Sequence, residues 1–345
     1  MSDAHLHKGL MQLEARGLPI HTRTLSLTLL AGDGPELELA AYVLDLRKRG
    51  FVPVAGDLQG TGIIHHMELA GAVDPRTRTL ARITARMPTV AFEASAASAG
   101  ESCRDLVGRV DILAGTPLDG GYARRLGVEI GGPRGCSHVL TLAQLVGPSS
   151  AWALEEDLRL QGPDPRRRAG ERLFRRDVTI DGYALDGDLY LTLQMNDLHF
   201  APVADGAPAG DRFAAQLEVH VAARLTMGEM TVGEIEIDER RREAHSLESA
   251  AWRTRADRAA PLLGVSLRSG ISAALIGQFA DAGHDRPLLD ALLMLAPATI
   301  QCMASFVDTW TQVPWMRAAG NETGGYPDSC YMWRRDGALG QKRFG

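Results

Sequence analysis

Cys136 and His138 are the residues whose types and spacing point most directly to chemistry. Cys136 follows Gly132-Pro133-Arg134-Gly135 and begins a predicted helix that runs from about Ser137 to Leu154. The free backbone N–H groups and the dipole at a helix start stabilise a thiolate, so Cys136 is a candidate nucleophile. His138 follows two residues later and is a candidate base or metal ligand. The alternative is a structural cysteine beside a polar first-turn histidine.

His65 is the next candidate, and its place on a predicted strand indicates where its side chain points. In the strand from Ile63 to Val73, His65 shares one face with Met67 and Leu69, whereas His66 lies on the other. We therefore expect His65 to be buried, where the pKa of an imidazole is easily moved into the range of acid–base chemistry. A core histidine bonded to the backbone is the competing interpretation.

Three arginines could bind an anionic part of a substrate, because a guanidinium group forms two parallel hydrogen bonds to a carboxylate or phosphate. The candidates are Arg47, Arg124 and Arg125. Charged runs of this kind are also typical of a solvated surface.

A fourth candidate, Cys330, lies in the C-terminal tail. If the tail folds back onto the first half of the chain, Cys136, His138 and Cys330 could together bind Zn or Fe. A tail strand that buries Cys330 without a metal fits the same pattern.

The sequence indicates an internal duplication in which only the first copy keeps these side chains. Residues 36–46 match residues 188–198 at an offset of 152 positions (197 − 45), and later segments match at 149 (297 − 148). In this alignment the candidates correspond to residues of other types: His65 to Leu217, Cys136 to Asp285, and His138 to Pro287. Asp45 corresponds to Asp197 in the copy that lacks the other reactive side chains, and we therefore interpret Asp45 as structural.

In each half, predicted antiparallel strands come first and helices follow, which is the order of an α+β domain. The predicted organisation is a pseudo-dimer of two tandem copies. Residues 1–154 form the first copy, 155–172 a linker, 173–318 the degenerate second copy, and 319–345 a tail that packs on the first copy.

The composition of the 345-residue chain is that of a globular protein, with 45% hydrophobic and 23% charged residues. A net charge of −6 argues against non-specific binding to nucleic acids or membrane surfaces. The N-terminal residues lack a signal-peptide pattern, so we expect a cytoplasmic monomer or homodimer with reduced cysteines.

Several motifs of the first half and the tail resemble the uncharacterised bacterial domain-of-unknown-function family 2889. Ile64-His65-His66-Met67 is similar to that family's Ile/Leu-His-Asp-Met, and Gly135-Cys136-Ser137-His138 to its Gly-Cys-Thr-His. Residues 330–337 are similar to its Cys-His-Ala-Leu-Arg-x-Asp-Gly, with Tyr331 in place of the histidine. A cysteine that the family carries after its fourth strand is absent near residues 91–95, and Cys103 lies further along. The order of elements also resembles iron–sulphur scaffold proteins of the NifU and SufE type, which implies a fold and no function.

The preferred hypothesis is an enzyme that acts on a small organic substrate, such as a carboxylate, by lyase-like or hydrolase-like acid–base or thiol chemistry. His65 would be the acid or base, Cys136 with His138 the nucleophile or metal anchor, and the arginines the anion clamp. The first alternative is a non-catalytic metal or iron–sulphur carrier. The second is an interaction module without a reactive site.

Overall fold

A ten-stranded antiparallel sheet is the central feature of this computed structural model, and helices pack against it. The structure describes residues 15–50, 52–54, 57–203, 212–243, 250–267, 270–279, 283–303, 305 and 326–344. Strands and helices occur together as predicted, so the α+β class is confirmed.

The strands form two meanders that meet in the middle of the sheet. The first consists of β1 (Leu18–Ala31), β2 (Leu37–Arg47), β5 (Gly62–Asp74) and β6 (Thr79–Thr89). The second consists of β8 (Arg172–Leu185), β9 (Asp188–Phe200), β10 (Phe213–Thr226) and β11 (Thr231–Glu243). Because β1 pairs antiparallel with β8, one continuous sheet spans both halves of the chain.

Four short strands complete the described β structure. β7 (Thr116–Pro117) and β12 (Arg253–Thr254) extend the two edges of the sheet, and β3 (Val52–Val54) pairs with β4 (Asp57–Gln59) in a separate ribbon. The order across the main sheet is β12-β11-β10-β9-β8-β1-β2-β5-β6-β7.

Seven α-helices occur in the described part of the chain. They are α1 (Tyr122–Ile130), α2 (Ser137–Gln161), α3 (Ala256–Ala259), α4 (Ile271–Gln278), α5 (Arg286–Leu293), α6 (Leu295–Met303) and α7 (Ala338–Phe344). A 3₁₀ helix spans Cys103–Leu113 and begins with a capping box in which Ser102 and Asp105 bond to each other's backbone N–H groups. Within these residues, no helix combines the length and apolar character needed to cross a membrane.

Period-two alternation explains which side chains the central strands bury. In β2, Leu39, Ala41 and Val43 lie on the covered face, and the same row continues into Asp45 and Arg47, which are also buried. β1 has the same pattern, with His21 and Arg23 preceding the buried leucines 25, 27 and 29. Each strand therefore carries charged or imidazole side chains into the covered layer at one end.

Helix α2 crosses that covered layer and contacts β1, β2 and β5 of the first meander as well as β8 and β9 of the second. It continues to Gln161, so its last seven residues lie in the segment 155–172 that the sequence predicts as a linker. Helix α6, from the other half, contacts β1, β8 and β9. The two halves thus share helices as well as a sheet.

The described part of the tail, residues 326–344, packs against the first half. The backbone N–H of Tyr331 donates to the carbonyl oxygen of Gly135 over 2.9 Å, and Arg334 forms an ion pair with Glu101. Residues 319–325 of the predicted tail lie outside the described residues.

Candidate metal centre

Asp45, near the end of β2, is the centre of a buried polar cluster. Its Oδ1 accepts hydrogen bonds from His21 Nε2 and Arg23 Nε, and its Oδ2 accepts one from Arg23 Nη2, all at 2.9 Å. Burial alone raises the pKa of Asp45, but the charge of Arg23 and these hydrogen bonds outweigh burial, so the pKa lies well below its usual range. Asp45 is therefore a carboxylate held in one orientation.

Two histidines approach the other side of this carboxylate. His65 stands directly opposite Asp45 in the β2–β5 pairing, with its Nδ1 3.7 Å from Asp45 Oδ2. His138, in the first turn of α2, places its Nε2 3.5 Å from the same oxygen. The two imidazole rings stack with their centroids 3.6 Å apart. The strand pairing and the start of α2 therefore bring together two residues that are 73 positions apart (138 − 65).

Both imidazoles are neutral at neutral pH. Burial lowers the pKa of His138 to about 4, against the opposing charge of Asp45. Burial, with the neighbouring His138, also lowers the pKa of His65 well below its usual value. A neutral imidazole has a free lone pair, which is the form that binds a metal or accepts a proton.

The facing nitrogens, His65 Nδ1 and His138 Nε2, have no hydrogen-bond partner within the described chain although both are buried. These nitrogens and a carboxylate oxygen of Asp45 all lie within 4.8 Å of one another. Two ligands bound to one Zn²⁺ at ~2.1 Å in a tetrahedral arrangement are ~3.4 Å apart. Distances of 3.5 and 3.7 Å to Asp45 Oδ2 are close to that spacing.

Cys136 lies beside the cluster of Asp45, His65 and His138 and contacts it through His138. Its Sγ lies 3.8 Å from His138 Nδ1, the ring nitrogen that faces away from Asp45. Burial raises the pKa of Cys136 to about 11, despite opposing backbone N–H groups of Val139 and His138. The helix start was expected to stabilise a thiolate, but burial has the larger effect. The thiol is thus placed to bond to His138, and it is not activated as a nucleophile.

A family model covers the segment that supplies these side chains. Residues 21–151 match the family model DUF2889, a protein of unknown function. The match confirms the resemblance over the first half, and it contains His21, Asp45, His65, Cys136 and His138. No curated protein was found to match the chain.

Cys330 lies outside the DUF2889 match but close to Cys136, because the Tyr331–Gly135 hydrogen bond joins their neighbouring peptide groups. Burial raises the pKa of Cys103, and the nearby Cys136 and Cys330 raise it further, so three thiols share one region. Among the described residues, however, Cys136, His138 and Cys330 do not form a group with all ligand atoms within 4.8 Å. The group that does lie within this distance consists of Asp45, His65 and His138, because His138 turns Nε2 toward Asp45 and Nδ1 toward the thiol.

The predicted arginine clamp is spread over different regions. Arg47 is buried and close enough to Asp45 for their charges to interact. Arg125 instead donates to the Pro117 carbonyl and pairs with Asp119, and Arg124 is exposed beside the same carboxylate. Arg23, which the sequence analysis missed, contacts the cluster directly. Its place in the period-two row of buried leucines was the available signal.

Helix α6 also contributes to the cluster from the second half of the chain. Burial lowers the pKa of His138, and a side-chain hydrogen bond that His138 donates to Gln301 raises it by a smaller amount. Cys302, the next residue, is buried near Arg23 and Asp45. The DUF2889 segment is therefore not the sole source of side chains around this cluster.

A related cluster lies in the second half. Asp197 accepts two hydrogen bonds from Arg176, as Asp45 does from Arg23, and Leu217 stands opposite Asp197 in the β9–β10 pairing. Arg176 Nη1 also donates to Asp290 Oδ2 at 2.6 Å and to Ser149 Oγ at 2.9 Å. This second cluster contains an arginine bonded to two carboxylates where the first has histidines.

Proposed function

We propose that the protein binds one divalent transition-metal ion through Asp45, His65 and His138 and uses it to act on a small organic substrate. The observation that carries this proposal is the convergence of two buried, unpartnered imidazole nitrogens on one carboxylate oxygen within 4.8 Å. Two histidines and one carboxylate are a ligand set typical of Fe²⁺ and of catalytic Zn²⁺ sites.

The distances favour a bound ion over direct hydrogen bonds. At 3.5 and 3.7 Å from Asp45 Oδ2, His138 Nε2 and His65 Nδ1 are too far for ordinary N–H···O bonds. A buried polar atom without a partner costs about 1–3 kcal/mol, so such atoms occur in native proteins where water or an ion completes them. A metal between the three ligand atoms would satisfy both nitrogens together.

The number of ligands supports catalysis over a purely structural role. Structural zinc sites are closed by four protein ligands, whereas catalytic sites keep a position for water or substrate. Here three protein ligands converge, and Cys136 Sγ contacts the far nitrogen of His138. A hydrogen-bonding partner at that nitrogen orients a metal-bound imidazole.

We also infer that the two halves are copies of one unit and that the second has lost the metal site. His65 pairs with Asp45 across strands β2 and β5, and Leu217 pairs with Asp197 in the same way across β9 and β10. His65 and Leu217 are separated by the offset of 152 found in the sequence (217 − 65). The same offset relates His138 to Asp290 (290 − 138), and the position of Asp290 beside Arg176 supports this pairing over the Pro287 alignment.

A metal-free acid–base enzyme is the second candidate. It is favoured by the Arg23–Asp45 pair, since a guanidinium group at the carboxylate reduces its attraction for a cation. In that case the neutral imidazoles of His65 and His138 would transfer protons.

Metal content distinguishes the two candidates. We expect anaerobically purified protein to contain close to one equivalent of Zn or Fe, and the chelator-treated protein to bind Co²⁺ with visible absorption bands. His65→Ala should lose this ion, whereas His66→Ala, the next residue on the opposite face of β5, should retain it. Wild-type protein that takes up neither Zn²⁺, Fe²⁺ nor Co²⁺ would exclude the metal centre and leave the acid–base enzyme.

A further inference from the structure

We infer that His21 is a positioning residue of the proposed metal centre, which holds Asp45 so that one oxygen of its carboxylate is left for the ion. The inference rests on the proposed function, because the role assigned to His21 exists only when a metal binds. His21 is fully buried, and its Nε2 donates to Asp45 Oδ1 over 2.9 Å.

The hydrogen bonds of Asp45 decide which of its oxygens can bind an ion. A carboxylate offers about four lone-pair positions, two on each oxygen. His21 Nε2 and Arg23 Nε occupy both positions on Oδ1, and Arg23 Nη2 occupies one on Oδ2. The remaining position, on Oδ2, is the one that His65 Nδ1 and His138 Nε2 approach. Asp45 can therefore bind an ion through Oδ2 alone, which leaves more of the ion's coordination positions for water or substrate.

A phenylalanine takes the place of His21 in the second half of the chain. Between β1 and β8, His21 pairs with Gly182. Phe174 and Leu29, each separated by 153 positions from one member of that pair (174 − 21 and 182 − 29), pair in the same way. Two residues later, each strand carries the arginine that binds the carboxylate of its own cluster. The fold thus accepts a buried phenyl ring at this position in the half where no metal centre is proposed.

All three histidines of the first cluster differ from their counterparts. The arginine and the aspartate are present in both halves, but the positions that match His21, His65 and His138 hold Phe174, Leu217 and Asp290. His21 therefore belongs with the two proposed metal ligands as a residue specific to the first cluster.

The imidazole ring of His21 costs more to bury than a phenyl ring. Its second nitrogen, Nδ1, is buried and has no hydrogen-bond partner among the residues that the structure describes. A buried polar atom without a partner lowers stability, and Arg23 already supplies Asp45 with two hydrogen bonds and a counter-charge. Stability alone gives little reason for a histidine here, whereas a metal centre needs the carboxylate held in one orientation.

Cobalt binding and stability together test this role. Co²⁺ is titrated into the chelator-treated full-length protein, and the wild type is compared with His21→Phe, which introduces the residue type of the second half. We expect the affinity for Co²⁺ to fall about 10–100-fold, with a changed visible spectrum, because Asp45 can then turn or bind through both oxygens. Urea unfolding of metal-free His21→Phe should have a midpoint equal to or above that of the wild type.

Two further variants separate positioning from packing. His21→Gln keeps an N–H donor at the place of Nε2, so the affinity for Co²⁺ and the spectrum should stay close to those of the wild type. His199→Phe is the matched control, because His199 is also buried, contacts Trp152 of α2, and has an Nδ1 without a partner in the described part of the chain. It lies in the second half and should leave Co²⁺ binding unchanged.

Unchanged Co²⁺ affinity and spectrum in His21→Phe would overturn the inference and leave the metal centre intact. A loss of binding that His21→Gln does not restore, together with a lower urea midpoint of the metal-free variants, would assign His21 to the fold. Wild-type protein that binds no Co²⁺ would reject the proposed function and this inference with it. If the phenyl ring prevents folding, His21→Leu removes the same hydrogen bond with a smaller side chain and is judged by the same criteria.

Discussion

His65 lies directly across the sheet from Asp45, and its Nδ1 faces the carboxylate at 3.7 Å without forming a hydrogen bond. Adjacent strands fix this relationship, so it does not depend on a flexible loop. Any ligand that joins the two side chains is therefore held by the most regular part of the fold.

The Asp45–Arg23 pair should contribute strongly to stability. Asp45→Asn leaves the buried guanidinium group without its counter-charge, and we expect a loss of about 3–5 kcal/mol in the free energy of unfolding. Urea unfolding at neutral pH measures this loss. The exposed pair of Arg82 and Glu36 provides the control, because Glu36→Gln should cost no more than about 1 kcal/mol. Similar losses in the two variants would contradict the assigned burial of Asp45.

Stability should fall on mild acidification of the metal-free protein. The pKa of His138 is about 4 in the folded chain, so between pH 6.5 and 5 the unfolded chain binds a proton there that the folded chain does not. The stability from this residue is thus complete above pH 6.5 and is lost as the pH falls toward 4. We expect His138 alone to account for about 1–2 kcal/mol between pH 7 and 5. Urea unfolding across this range should show a smaller pH slope in His138→Asn, and an equal slope would rule out the lowered pKa.

Gln301 should orient His138 as a metal ligand. Removing a hydrogen-bonding partner of a ligand weakens metal binding by about 10–100-fold, and we expect this effect for Co²⁺ affinity in Gln301→Ala. Ser149→Ala is the matched control, since Ser149 bonds to Arg176 in the second cluster. It should lower stability and leave Co²⁺ affinity unchanged. A merely structural role for Gln301 would instead lower stability without altering the Co²⁺ affinity or spectrum.

Cys136 should react slowly with alkylating reagents. With a pKa of about 11, its thiolate fraction at pH 8 is more than about 100-fold below that of a free cysteine. Iodoacetamide labelling followed by peptide mapping gives the rate at this residue, with a short unstructured cysteine peptide as reference. A rate equal to that of the peptide would restore Cys136 as a candidate nucleophile.

Local patterns were sufficient to predict much of the fold. Alternating apolar residues correctly indicate the long strands of both meanders, and the helix beginning near Ser137 is present. Its continuation to Gln161 was not predictable from charge and proline content alone, because Glu156 and Asp157 are stabilised by pairing with distant Arg241 and nearby Arg167. Tertiary ion pairs thus extended a helix into a segment that reads as exposed.

The candidate site could also be predicted only in part, because it depends on contacts between residues that are distant in sequence. His65 and His138 were identified because their counterparts in the second half are unreactive, whereas Asp45 was set aside because Asp197 matches it. The structure places Asp45 between the two histidines, and Asp197 has a comparable position beside Arg176. Identity at matching positions reports a shared scaffold, but the neighbours of each carboxylate decide its chemistry. Those neighbours come from strands and helices that are distant in sequence.

The hydrogen bond between Tyr331 and Gly135 joins residues separated by 196 positions (331 − 135). During synthesis, Asp45, His65 and His138 are all available long before the segment around Tyr331 emerges from the ribosome. The first half can thus bring these three side chains together early, whereas the turn that precedes Cys136 is covered only after the segment around Tyr331 has been made. An interval therefore separates the synthesis of the proposed metal-binding side chains from the synthesis of the segment that packs beside Cys136.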